Sequence, residues 1–180
     1  IDFNSQLMSV LIGHSHPRVI EAIKRQLDTL IYVYPGMATE IRARVGKLLA
    51  EIVPGDVNTF FFTLGGAEAN ENALKLASFH NGRTRVVAFG NAFHGRTSAA
   101  VNITDNAKIK APLNRTFEAE FHLLNRIDSV EESLAKGDVC AVIVEGIQLE
   151  SRTTEDGRVE RIRDLDLSLR GRGDGWFRIE

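Results

Sequence analysis

The stretch Thr63 to Ala77, TLGGAEANENALKLA, decides how the chain reads. Just upstream, Phe60, Phe61 and Phe62 form a short apolar run with β-propensity that stops at Gly65-Gly66. This predicts a buried strand, a two-glycine turn and then a helix. Glycine has no Cβ, so it can take a positive φ and lets a bound group approach the main chain closely. From Ala67 the composition is helical, with Ala69, Ala73, Leu74, Leu76 and Ala77 among polar residues and no β-branched residue. Glu68 and Glu71 put negative charge in the first turns, where the helix dipole favours it. The amides of Gly66, Ala67 and Glu68 are then expected to point, together with the dipole, at an anion. A glycine turn between strand and helix also serves as a tight connection and nothing more, so by itself it leaves both readings open.

With 180 residues, 43% of them hydrophobic and few aromatic, the composition is that of an ordinary α/β domain able to bury roughly 70% of its unfolded surface. The formal charge of -2, with lysines and arginines scattered rather than striped, argues against a nucleic-acid partner. No apolar run approaches a membrane span and no signal peptide is visible, so no membrane partner and a cytoplasmic location are expected. The single cysteine, Cys140, lies in the apolar run Val139 to Val144 and reads as a core residue rather than a nucleophile. The chain opens at Ile1 inside a strand-like segment, IDFNSQLMSVL, and further sequence is expected before it.

Gly13-His14-Ser15-His16-Pro17 introduces a first helix. Pro17 suits the first helical position, and Val19, Ile20, Ile23, Leu27 and Leu30 follow at helical spacing. His14 and His16 could hold a metal, but with no further His or Cys nearby a helix entry with local hydrogen bonds is the preferred reading. In LIYVYPG, Pro35-Gly36 breaks the chain, and Tyr32 and Tyr34 are either packing residues or the wall of a pocket. A second amphipathic helix carries Ile41, Val45, Leu48, Leu49 and Ile52 on one face and ends at Pro54-Gly55.

After the central helix, Thr84 to Phe89 reads as a buried strand leading into NAFHGRT, Asn91 to Thr97. That places an aromatic ring, Phe93, and a polar group, His94, at a strand's carboxyl end, where open α/β sheets bind ligands. Core packing for Phe93 and a satisfied loop histidine are the competing readings. Residues 102 to 127 are polar and weakly patterned and read as surface loops anchored by Phe117, Phe121, Leu123 and Leu124. A short helix with Val130, Leu134 and Ala135 closes at Gly137. The strand Asp138 to Gln148, DVCAVIVEGIQ, follows, its continuous apolar centre fitting a parallel strand covered on both faces. Gly65-Gly66, Phe93-His94 and Glu145-Gln148 thus converge as strand-end residues of a doubly wound sheet.

GGAEANENALKLA, AFHGRT and VIVEGIQ, in this order and spacing, resemble the class III pyridoxal-phosphate aminotransferases, the acetylornithine, ornithine and ω-amino-acid group of fold type I. IGHSHPRVIEAIKRQL resembles that family's N-terminal segment, and the likeness covers Ile1 to Gln148. It implies an α/β fold that is part of the fold type I large domain, a mostly parallel sheet flanked by helices and incomplete at both ends. The expected division is an N-terminal segment over 1–57, a partial cofactor-binding domain over 58–148 and an atypical polar tail over 149–180. By the same resemblance Gly66 and Ala67 give main-chain amides to the phosphate of pyridoxal 5'-phosphate, and Phe93 stacks on its pyridine ring. His94 and Gly95 shape that stacking loop, Glu145 lies close to cofactor and substrate, and Tyr34 sits near the substrate entrance. The family works as a homodimer with sites at the subunit interface, moving an amino group from a donor to a 2-oxo acid; the cofactor is the electron sink. Two positions depart from its pattern: Ala67 replaces the usual serine or threonine, and Leu64 stands where many relatives have asparagine.

Beyond Gln148 the family continues with a glycine-rich loop, a strand ending in the aspartate that pairs with the pyridine nitrogen, and later the Schiff-base lysine; none of these is recognisable. Leu149 to Glu180 has seven arginines, no lysine, eight acidic residues and no sustained apolar run. A reading-frame shift is the preferred explanation, with a genuine polar tail as the other. The last lysine is Lys136, and a primary amine is required for the covalent cofactor linkage, so no catalytic residue is assigned. The 180 residues alone are expected to be inactive, as a fragment of a transaminase. The alternative is a non-catalytic chain that pairs with a full-length relative. A nucleotide-binding α/β enzyme is disfavoured because G-x-G-x-x-G and G-x-x-x-x-G-K-[ST] are both missing.

Overall fold

The computed structural model describes residues 1–3, 5–53, 55–124 and 126–145. The expectations for Pro54, for Gln148 and for the tail 149–180 lie outside the described residues. The chain divides into two compact units, the first ending at Phe61 and the second beginning at Phe62.

In the first unit, α1 (Ser5–Met8) is one turn whose backbone is left-handed at Ser5, Gln6 and Leu7, so the expected strand at IDFNSQLMSVL does not form. The carboxylate of Asp2 holds this turn, accepting from the Ser5 amide at 2.9 Å, and it also pairs with His14 Nε2 at 2.7 Å. Helix α2 (Pro17–Thr29) starts as read, with Pro17 at its first position, and its apolar stripe stays exposed, Ile23 by 51% and Leu27 by 53%. Helix α3 (Glu40–Ile52) is capped by Thr39, whose hydroxyl accepts from the Arg42 amide at 3.3 Å. Arg42 in turn donates to the carbonyls of Pro35 (3.0 Å) and Met37 (2.8 Å), fixing the Tyr-Pro-Gly turn against the start of α3.

The second unit holds α4 (Gly66–Asn81), β1 (Arg85–Phe89), α5 (Ser98–Asn102), β2 (Ala119–His122), α6 (Ile127–Ala135) and β3 (Val139–Val142). The three strands form a parallel sheet in the order β2-β1-β3. All five residues of the central strand β1 are buried, and its side chains alternate between two apolar clusters. Val86 and Ala88 pack with Leu74, Ile103, Cys140 and Ile143, while Val87 and Phe89 pack with Val130 and Val139. The sheet is therefore covered on both faces, with α4 and α5 on one and α6 on the other, as the continuous apolar runs of β1 and β3 require.

Two expectations are corrected here. Phe60, Phe61 and Phe62 form no strand; they are unpaired coil, and Phe61 is 72% exposed. An apolar run marks a strand only where a neighbouring ladder satisfies its amides and carbonyls, and here none does. Conversely, the stretch read as loops over 102–127 contains β2, with Val86 opposite Ala119 and Phe89 opposite His122.

The amino-terminal end of the sheet is closed by a charged cluster. Arg85, buried in β1, donates to Glu120, to Asp138 and to the Ser133 carbonyl, the last at 3.0 Å. The hydrogen bond that Arg85 donates to Asp138 raises the Arg85 pKa above its ordinary value, and the hydroxyl of Ser133 lowers that of Glu120. Among the described residues no helix is long and apolar enough to cross a membrane.

Candidate functional site

The opposite, carboxyl end of the sheet is built differently. Helix α4 begins at Gly66 with Gly65 as its N-cap, and the Gly65 carbonyl accepts the first helical bond, from Ala69 at 3.0 Å. The geometry of a helix start leaves the amides of Gly66, Ala67 and Glu68 without an intrahelical acceptor. Gly65 is extended (φ −172°) and neither glycine takes a positive φ, so conformational freedom is not what glycine supplies here. A Cβ at either position would meet nothing within 4 Å, so both glycines border open space. Glu68 turns its carboxylate back to accept from the Leu64 amide at 2.8 Å, which ties down the entry to the helix.

Strand β1 ends at Phe89 and the chain turns through Asn91, held left-handed (φ 61°) by its amide's bond to Asp105 Oδ2 at 2.8 Å. Phe93 follows with 37% of its surface exposed. The Phe93 amide donates to Glu145 Oε1 at 2.7 Å, joining the loop after β1 to the segment after β3 across 52 residues. Glu145, Phe93 and the loop that follows are thus one assembly.

His94 is buried, only 6% exposed, and its Nε2 has no hydrogen-bond partner. Burial lowers its pKa from 6.5 to about 4, so the imidazole is neutral at physiological pH. The satisfied-histidine reading therefore fails for the side chain but holds for the main chain. The His94 amide donates to Thr104 Oγ1 at 2.9 Å, and its carbonyl accepts from Asn70 Nδ2 at 2.8 Å.

Gly95 has φ +133°, and a Cβ on it would lie 2.5 Å from the Cβ of Ala67. The aromatic loop and the α4 helix start are therefore pressed together at Gly95 and Ala67, with no space for a larger residue. Glu71 completes the junction, its Oε1 accepting from the amides of Ala99 (2.6 Å) and Ala100 (3.0 Å) at the start of α5. Of the residues singled out from sequence, Gly66, Ala67, Phe93, His94 and Glu145 are brought together in the second unit. Tyr34 belongs to the first, where it is 67% exposed. Asn70, Glu71 and Thr104 were missed. The signal for the first two is that they follow the helix start by one turn, with polar side chains in an otherwise alanine-rich helix.

A helix start, an exposed aromatic ring and a carboxylate fixed to the ring's own backbone thus lie at the carboxyl end of the sheet. The comparison with protein families matches residues 1–154 to aminotransferase class-III. The chain belongs to that family. The chain is 34% identical over 168 residues to the acetylornithine aminotransferase of Methanopyrus kandleri, covering 92% of this chain and 43% of that protein. It is 33% identical over 152 residues to the LysW-aminoadipate semialdehyde/glutamate semialdehyde transaminase of Sulfolobus acidocaldarius, covering 84% of this chain and 39% of that protein. Among solved structures, the taurine:2-oxoglutarate aminotransferase of Bifidobacterium kashiwanohense, in complex with PLP and glutamate, matches with a TM-score of 0.71 and 26% identity. That match covers 81% of this chain and 38% of the solved one. The chain thus has part of the fold type I architecture and spans about two fifths of the length of these two curated relatives.

Proposed function

We propose that the full-length protein is a pyridoxal-phosphate-dependent transaminase and that residues 62–145 supply the phosphate and ring-face half of its cofactor site. The observation that carries this is the junction of the α4 helix start with the Phe93 loop: open space beside Gly65 and Gly66 next to free amides, and an exposed ring on the segment packed against Ala67. These residues fit a phosphorylated aromatic cofactor. Gly66 and Ala67 would hold the phosphate through their amides, with the helix dipole adding to the attraction. Ala67 has no hydroxyl to add a further bond. Phe93 would cover one face of the ring, and Glu145, fixed by the Phe93 amide, would lie beside ring and substrate. When bound, the cofactor supplies the electron sink that labilises bonds at the amine-bearing carbon.

The substrates in this reading are an amino donor and a 2-oxo acid acceptor, and the named relatives favour donors of the acetylornithine and semialdehyde-derived kind. Homodimerisation is supported by the exposed apolar stripes of α2 and α3, which need a partner surface in the working enzyme. Tyr34 is proposed as a residue of the substrate entrance, and the cytoplasm as the location. No lysine follows Lys136 within the 180 residues, so these residues by themselves are proposed to bind cofactor weakly and not to turn over. The test is to titrate the full-length protein with pyridoxal phosphate by visible absorbance, then supply a panel of amino donors with 2-oxoglutarate. Saturable binding and donor-dependent glutamate formation are expected; a full-length protein that binds no pyridoxal phosphate would sink the proposal.

A further inference from the structure

Side-chain hydrogen bonds from two neighbouring residues of α4 join the helix to the segment that carries Phe93 and to the start of α5. Asn70 stands one turn beyond Gly66 and its Nδ2 donates to the His94 carbonyl at 2.8 Å. Only the amide nitrogen can donate to a carbonyl oxygen, so this contact fixes the orientation of the side chain. Glu71, next in the helix, accepts two amides, Ala99 and Ala100, on the single oxygen Oε1. The loop between these anchors carries Gly95, pressed on Ala67. On its far side Thr104 Oγ1 accepts from the His94 amide and donates to the Ala100 carbonyl at 2.9 Å.

We propose that Asn70 and Glu71 are positioning residues that lock the Phe93–Ala100 loop to the phosphate-binding helix, so that the amide set and the ring face form one rigid cradle. Without them the helix start keeps its amides and its dipole, because both belong to α4 itself. What is lost is the placement of the Phe93 ring over the same ligand. A ligand that uses only the helix start is then held as before, while one that uses helix and ring together is held less well, since each loose segment must be ordered on binding. The inference rests on the proposed pyridoxal-phosphate site.

Two near-isosteric variants separate positioning from simple loss of fold. Asn70→Asp keeps the shape but removes the donor to His94, whereas Glu71→Gln keeps the oxygen that accepts both amides and removes only the charge. In the full-length apoprotein, pyridoxal phosphate is titrated by absorbance, and inorganic phosphate is measured as its competitor. Asn70→Asp and Glu71→Ala are expected to weaken pyridoxal phosphate about tenfold, the effect of losing one or two fixing hydrogen bonds. Phosphate affinity should stay within about twofold, and Glu71→Gln should retain pyridoxal-phosphate affinity within about threefold. Hydrogen exchange at residues 93–100 should speed up in the two weakened variants only. Wild-type affinity in Asn70→Asp, or parallel losses of phosphate and pyridoxal phosphate, would overturn the positioning role and leave the cofactor site standing. Failure of the wild type to bind pyridoxal phosphate would overturn both.

Discussion

Acidification from pH 7 to pH 5 acts on His94 before it reaches the range of the carboxylates. Its ring is buried, Nε2 has no partner, and burial lowers its pKa from 6.5 to about 4. A histidine held neutral in the fold gives stability that is fully present above its unfolded pKa. That stability is lost as pH falls, because the unfolded chain takes up a proton the native state refuses. With 6.5 for the unfolded value and about 4 for the folded one, the loss is about 0.8 kcal/mol at pH 6, about 2 at pH 5 and about 3 at pH 4. The carboxylates of Glu120 and Asp138, whose pKa values are lowered by their partners, add a further loss, but only from their ordinary range downward. The interval between pH 6.5 and pH 5 therefore isolates the histidine. The assay is urea unfolding at pH 7, 6 and 5, followed by far-ultraviolet circular dichroism, on the wild type and on His94→Leu. The variant keeps the main-chain bonds to Thr104 and Asn70 and cannot be protonated there. The wild type is expected to lose about 2 kcal/mol relative to the variant between pH 7 and pH 5. Two curves that run parallel over that interval would refute the buried neutral imidazole.

Gly95→Ala should destabilise the protein by at least about 2 kcal/mol in the same unfolding assay, because φ +133° is a glycine conformation and the new Cβ would sit 2.5 Å from that of Ala67. Gly66→Ala is expected to behave in the opposite way: its Cβ meets nothing within 4 Å and its backbone is helical, so stability should be unchanged or rise by up to about 1 kcal/mol. The same methyl fills the space beside the free amides, so pyridoxal-phosphate affinity measured by absorbance should fall although the fold is intact.

The parts of this fold that were legible in the sequence are those whose signal is local. Helix α4 announces itself by an alanine-rich run after two glycines, and β1 and β3 by apolar runs that bury both faces. Strand β2 was illegible because, among the described residues, it pairs on one side only and is half-buried along its length. Two of its four residues, Glu120 and His122, serve a polar network with Ser133 rather than the core. Phe60 to Phe62 misled for the converse reason, since apolarity was present and a partner ladder was not. In the site, Gly66, Phe93 and Glu145 lie in motifs that can be seen at a turn or a strand end. Asn70 and Glu71 act through main-chain groups 24 to 29 residues away, and no spacing rule connects them.

The two ends of the sheet show why these distant contacts are needed. At the amino-terminal end, charge is matched by charge: Arg85 is enclosed by Glu120, Asp138 and a carbonyl, and the cluster needs nothing from outside. At the carboxyl end the arrangement is left open, with open space beside Gly65 and Gly66 at the helix start and a buried imidazole nitrogen without a partner. Unsatisfied polar groups cost stability unless a ligand or a neighbour answers them. In the proposed site the loop is not held by the core at Phe93, whose ring is to serve as a ring face and is exposed. Its backbone is held instead by hydrogen bonds, one accepted from Asn70 and others donated to Glu71, Thr104 and Glu145, none of which uses the Phe93 side chain. Rigid backbone and available ring are thereby obtained together, which apolar packing of the same loop would not allow.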